Sequence, residues 1–200
     1  MGRPEVPYRQ RQAQATRRAI ASAARALFAE RGYDATTIEA ISAACGIPVP
    51  TIYSALGSKP AILEEARRAW IEEAGVASLY EEAMRLQDGA DQLRMAAHWT
   101  RRQFESGIDV ITAYQEAARS DPRAARVWRE ALAGRERAVR ELVVSLGPGL
   151  RPGVTVERGL DLYIALTLPE MYRTLADRGW APDDYELWLG PRLAGELLRD

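Results

Sequence analysis

Cysteine, histidine and lysine each occur once in these 200 residues, as Cys45, His98 and Lys59. A single cysteine rules out an internal disulfide framework and suits a reducing compartment. One thiol and one imidazole cannot assemble a zinc site. A lone histidine nearly excludes the nucleophilic triads, and the Glu-x-x-His spacing of carboxylate metal bundles is missing. No metal, no cofactor and no catalytic residue are therefore expected. No apolar run approaches the roughly 20 residues of a membrane span, so no membrane partner is expected either. The first residues, MGRPEVPYRQRQAQATRR, carry arginines without the apolar stretch of a secretory signal. Together these absences lead to the expectation of a cytoplasmic, soluble protein.

What is present is helical. Hydrophobic residues make up 47% of the chain, enough for a real core. Ala, Leu, Arg and Glu abound, and no window alternates like a strand for long. Thr16 can cap a helix that runs to about Arg31, with Ile20, Ala24, Leu27 and Phe28 on one face and Gly32 as its stop. Thr36 or Thr37 can cap the next, and Thr36 with Glu39 has capping-box spacing. That helix ends at Cys45-Gly46, and a third runs from Pro50 to about Leu56, with Pro at its first position. Further helices are expected over 60–86 (bent at Gly75), 91–105, 108–119, 122–146, 156–177 (kinked by Pro169) and 183–198. The expected fold is all-α with about nine helices: a flexible basic arm over 1–15, a small three-helix unit over 16–59 and a larger bundle over 60–200.

The net charge of -1 is unevenly distributed. Residues 1 to 60 hold eight Lys/Arg against four Asp/Glu, whereas residues 61 to 200 hold nineteen against twenty-four. Five of the arginines fall within residues 1 to 18. A charge run alone is usually a solvated tail, but here it precedes a pair of short helices with a tight glycine turn. Ile38, Ile41 and Cys45 give the first of the pair one apolar face. Gly46 can take the positive φ that reverses the chain, Ile47 can plug the turn, and Ile52 buries the second helix. Val49, Pro50, Thr51, Tyr53 and Ser54 are left outward. A short helix with few long side chains can press its N-terminal end into the major groove of DNA.

On these residues the chain closely resembles the TetR family of bacterial transcriptional regulators. Leu27-Phe28, Gly32-Tyr33, Thr36-Thr37, Ile41, Gly46, Tyr53 and Ser58-Lys59 fall on the family pattern, within Arg17 to Leu63, about a quarter of the chain. Residues 162 to 198 look like the last two helices of one branch of the family. The resemblance implies a three-helix DNA-binding domain joined to a helical ligand-binding and dimerisation domain. It implies that Tyr53 and Lys59 hold phosphates, that Thr37 adds a hydroxyl and backbone N–H, and that Thr51 reaches a base edge or phosphate. It places Arg17 and Arg18 near the DNA backbone or a minor groove. It implies a small-molecule effector cavity in the larger domain, for which Trp70, Met95, His98, Trp99, Phe104, Tyr114 and Trp128 are candidates. The plainer alternative for each of these is core packing. It also implies a homodimer through the last helices, with Leu168, Met171, Tyr172, Leu189 and Leu193 as candidates. Two recognition helices about 34–36 Å apart would then read a pseudo-palindromic operator on double-stranded DNA.

Departures from the pattern are informative. Pro48 replaces the usual capping Ser, Val49 stands at an often polar position, and Ser54 and Ala55 occupy places often held by Arg, His or Tyr. Direct reading would rest on Thr51, Ser54 and apolar contacts of Val49 and Pro50 with thymine methyls, without arginine–guanine pairs. Because it precedes a proline, Val49 is expected to stay extended, so that the helix starts at Pro50. Glu116 and Asp121 read as ordinary surface acids. The expected function is a dimeric regulator, a repressor released from its operator by a small apolar effector. A helical interaction protein without specific DNA reading, or a helical-bundle enzyme, are the alternatives.

Overall fold

The computed structural model describes residues 8 to 199. Among them are ten α-helices and one short 3-10 turn, and the only strand-like pairing is an isolated bridge between Leu150 and Leu198. The helices are α1 (Tyr8–Arg31), α2 (Ile38–Cys45), α3 (Val49–Leu56), α4 (Lys59–Ala74), α5 (Val76–Arg85), α6 (Gly89–Ser120), α7 (Pro122–Leu146), α8 (Val156–Leu166), α9 (Pro169–Asp177) and α10 (Pro182–Leu197). No helix among the described residues is long and apolar enough to cross a membrane.

The all-helical expectation holds, but several boundaries move. Residues 8–15, assigned above to a flexible arm, are the first two turns of α1; residues 1–7 lie outside the described residues. Thr16 is not a cap. It sits inside α1, where its hydroxyl donates back to the Gln12 carbonyl at 3.0 Å. The two helices expected on either side of Gly107 are a single helix, α6. A buried glycine inside a helix costs about 1 kcal/mol relative to alanine, too little to break one whose neighbours pack well. At Gly75 the opposite happens: φ reaches 65°, and α4 and α5 become separate helices rather than one bent rod. Pro169 likewise opens a new helix instead of kinking an old one, because α8 has already ended at its Thr167 cap.

The chain packs as two compact units, and their limits differ from the cut expected after residue 59. Among the described residues, one unit takes in 8–70 together with Asp109–Trp128, and the other takes in Ile71–Ile108 with 129–199. In the first unit α1, α2 and α3 pack on one another around Ile20, Ala24, Phe28, Ile41 and Ile52, all buried. Arg25 fastens α1 to the later part of α6 through a two-pronged ion pair with Asp109, at 2.6 and 2.8 Å.

In the second unit α10 packs on α8 and α9 over Leu160, Tyr163, Tyr185, Leu189, Leu193 and Leu197. This corrects three of the interface candidates. Leu189 and Leu193 have no exposed surface within the single chain, and Tyr172 is buried too, so all three serve this unit's own core. Leu168 is exposed and Met171 half-buried. Leu187 on α10, at 74% exposed, and Trp180 in the loop before that helix are outward apolar residues that the sequence did not single out.

Candidate nucleic-acid interface

The two short helices owe their angle to local chemistry. Thr37, not Thr36, is the N-cap of α2: its hydroxyl accepts the Ala40 N–H at 3.1 Å. Thr36 is buried instead, donating to the Gly32 carbonyl at 2.8 Å, so the capping box with Glu39 does not form. Gly46 ends α2 with φ 69°, and its N–H returns to the Ser42 carbonyl at 2.9 Å. The Ser42 hydroxyl then spans the turn to the Ile47 carbonyl at 2.7 Å, a lock for which the sequence offers no pattern.

α3 begins at Val49, one residue earlier than expected. The Pro48 carbonyl accepts from both Thr51 (2.8 Å) and Ile52 (3.1 Å), which holds Val49 in the first helical turn despite the proline after it. Ile52 is the one fully buried residue of α3; burying such a side chain is worth about 1.5–3 kcal/mol. Pro50, Thr51, Tyr53 and Ser54 face outward as read from the sequence, with Tyr53 half exposed. Val49 is half-buried and offers less of its surface than expected. No residue of α3 carries a formal charge.

The charged residues around it act on the scaffold. Lys59 was expected at a phosphate. Its ammonium instead donates to the carbonyls of Tyr33 (2.7 Å), Thr36 (3.0 Å) and, more weakly, Asp34 (3.4 Å). It also stands 4.2 Å from the centre of the Tyr33 ring. An ammonium has three donors, and all three have partners here. Burial pulls the Lys59 pKa below its ordinary value, partly countered by Asp34 and Glu116.

Arg17 is engaged in the same manner. It donates to the Ala55 carbonyl at the end of α3 (3.3 Å) and to Glu65 on α4 (3.0 Å). Arg18, the next residue along α1, is exposed.

Glu116 is the residue sequence reading passed over. Its carboxylate accepts the backbone N–H of Tyr33 at 2.8 Å and of Asp34 at 3.2 Å. Ser120 adds a bond to the Asp34 carboxylate at 2.7 Å. The turn between α1 and α2 is therefore clasped by α4 through Lys59 and by α6 through Glu116. Gly32, at φ 82°, is needed twice over: a Cβ there would lie 2.8 Å from Glu116 Oε1.

The seven residues proposed for an effector cavity are divided between the two units. Trp70, Tyr114 and Trp128 belong to the first unit, where Tyr114 and Trp128 stack with ring centres 5.6 Å apart. Met95, His98, Trp99 and Phe104 belong to the second. There Trp99 packs against Tyr80, Phe104 against Tyr172, and His98 Nδ1 meets the Glu186 carboxylate at 3.0 Å. Met95, His98 and Glu186 line an open cleft of about 420 Å³ with Leu86, Asp91 and Arg94. Among the described residues no group of acidic, histidine or cysteine side chains is placed to hold a metal ion.

Comparison with known proteins agrees with this geometry. Residues 20–66 match the model of the bacterial regulatory proteins of the tetR family. No curated protein matches the chain. Solved structures match over almost the whole length. The ketosteroid transcriptional regulator KstR2 of Mycobacterium tuberculosis is 19% identical, with a TM-score of 0.68 over 92% of this chain and 96% of its own. The TetR family transcriptional regulator PfmR from Thermus thermophilus is 23% identical, with a TM-score of 0.68 over 90% of this chain and 94% of its own. The fatty acid degradation regulator FadR from Bacillus halodurans is 19% identical, with a TM-score of 0.70 over 88% and 92%. The glycine-turned helix pair falls inside the segment that matches the tetR-family model, and the chain as a whole shares the fold of these solved regulators.

Proposed function

We propose that the protein works as a homodimeric repressor that leaves a pseudo-palindromic operator when a small apolar molecule binds its larger helical domain. The observation that carries this reading is the α2–α3 pair. A buried Ile52 and a left-handed Gly46 turn the neutral face of Pro50, Thr51, Tyr53 and Ser54 outward, where a groove could receive it. Thr51 and Ser54 would meet base edges, Val49 and Pro50 thymine methyls, and Tyr53 and the exposed Arg18 the phosphates. Thr37, already a cap, would lend a phosphate its hydroxyl. Lys59 and Arg17 would act one step back, by holding the helices that make contact. Exposed Leu168 and Leu187 support an interface on the last helices. An apolar effector fits the aromatic content of the domain, and two of the structural neighbours carry the names of a ketosteroid regulator and a fatty acid degradation regulator.

The test is a salt titration of binding to the duplex upstream of the protein's own coding sequence, with a shuffled duplex as control. The expected outcome is tighter binding to the upstream duplex. Arg18→Ala should reduce the slope of log affinity against log salt by about 1, the effect of one lost phosphate contact. Arg17→Ala should weaken binding with a smaller change of slope, because its role is to hold α3. Equal affinity for both duplexes, with the dimer intact by sedimentation, would favour the interaction-protein reading.

A further inference from the structure

The arginines with acidic partners set a contrast. Arg25 has Asp109, Arg17 has Glu65, and Arg101 has Glu105, Asp183 and Glu186. Arg135 on α7 has no carboxylate within ion-pair distance among the described residues. Its Nη2 donates to the Thr167 carbonyl at 2.9 Å and the Thr167 hydroxyl at 2.5 Å. Nε and Nη1 make no bond to any described residue. The side chain is half-buried, and burial pulls its pKa down; Tyr163 and Tyr185 are the groups that act on it electrostatically. A guanidinium does not shed its proton in a protein, so it remains a desolvated cation.

The surroundings of Arg135 point the same way. The Tyr185 hydroxyl is sealed from solvent and has no hydrogen-bond partner. The Tyr163 hydroxyl, also fully buried, is engaged by the Thr100 hydroxyl at 3.2 Å and by the Trp99 side chain. Tyr185 in turn packs against Tyr172 at 5.0 Å, Trp188 at 6.0 Å and Phe104 at 6.2 Å between ring centres. A free guanidinium edge, an unpaired phenol and a bed of rings are thus supplied by α6, α7, α9 and α10, from residues that all belong to the second unit.

We propose that Arg135 receives the carboxylate of an organic monocarboxylic acid, with the Tyr185 hydroxyl as a second donor and the Phe104, Tyr172 and Trp188 rings against its apolar body. The guanidinium fork matches a carboxylate in geometry as well as charge. Capping of α8 by a cation at its C-terminal Thr167 is also favourable, but it uses Nη2 alone and leaves the other donors and the phenol unexplained. This assignment rests on the reading that the larger domain takes an effector, and it turns that effector from a purely apolar molecule into an acid with an apolar body.

The experiment is calorimetric titration of the full chain, without DNA, using matched pairs: 2-naphthoate with 2-naphthalenemethanol, and decanoate with 1-decanol. The acid is expected to bind about tenfold or more tightly than its alcohol in at least one pair, the weight of one charged hydrogen bond. Arg135→Gln should erase the difference. Tyr185→Phe should reduce it with the melting temperature kept, which preserves a readout if the arginine variant does not fold. The proposal is overturned if neither acid is preferred. It is equally overturned if Arg135→Gln retains the preference, or if that variant only dissociates the dimer. Loss of duplex binding would sink the regulator's operator reading and leave this result untouched.

Discussion

The outer face of α3 and the turn that closes α1 are made of opposite materials. The first has a proline, two small hydroxyls and a tyrosine, and no charge. The second is held by an ammonium on its carbonyls and a carboxylate on its N–H groups. Charge at this turn therefore holds the scaffold around α3 and takes no part in its outer face. Neutral side chains tolerate many bases, so whatever discrimination α3 achieves depends on being presented at a fixed angle. On the proposed reading, the contrast teaches that the positions most sensitive for DNA binding are those that hold α3 rather than those on its outer face.

Three tests sharpen that contrast, from the largest effect down. Lys59→Met removes all three bonds to the turn, leaving the Thr36 carbonyl without its ammonium partner and the Tyr33 carbonyl with the Thr36 N–H alone. A loss of about 3 kcal/mol is expected from denaturant unfolding, with a matching fall in duplex affinity. Tyr53→Phe, on the outer face, should leave stability within about 0.5 kcal/mol of the parent and weaken only DNA binding.

Gly32→Ala and Gly46→Ala form the second test. Both glycines have left-handed backbone, which costs an L-residue roughly 1–2 kcal/mol. At Gly46 a Cβ meets nothing within 4 Å, so only that cost is expected. At Gly32 it also displaces Glu116, and the loss should exceed the Gly46 value by about 1 kcal/mol or more. Equal losses would show that Glu116 gives way freely and does not clasp the turn.

The smallest effect is alkaline. Burial pushes the Tyr114 hydroxyl up to about 12, and burial together with the Glu141 hydrogen bond pushes Tyr80 up to about 12. Each raised pKa means that the folded protein holds its proton after the unfolded chain has lost it. The stability from these groups is present in full below pH 10, the ordinary tyrosine value, and disappears as the pH climbs from 10 through 12. Tyrosinate absorbance should show a late-ionising class, and Glu141→Gln should bring Tyr80 forward while leaving Tyr114 in place.

Much of this was legible in the sequence, for physical reasons that can be named. Thr37, Gly46, Pro50 and Gly57 are local signals: a cap, a left-handed stop, a fixed φ. They place α2 and α3 within a residue. Gly75 and Gly107 show where local signals fail. Both interrupt helical patterns, yet one breaks the helix and the other is buried within it, because packing rather than propensity decides. Glu116 lies 83 residues from the N–H it holds, and nothing near it in the chain announces that partner. Lys59 was found by its family position, but its donors point inward, which a motif cannot say. For the last helices an apolar stripe was visible; which of its members, such as Leu189, face the unit's own core and which, such as Leu187, face outward was not.

The Lys59 ammonium has one more consequence. In the entire chain no other side chain ends in a primary amine. A reagent that acylates amines therefore has a single side-chain target, and that target is the clasp of the α1–α2 turn. Acetylation would remove its charge and two of its three N–H donors at once. Amine-selective labelling, normally scattered over a protein surface, would here act as a single-site probe of whether the turn is closed, with protection from the reagent reporting closure.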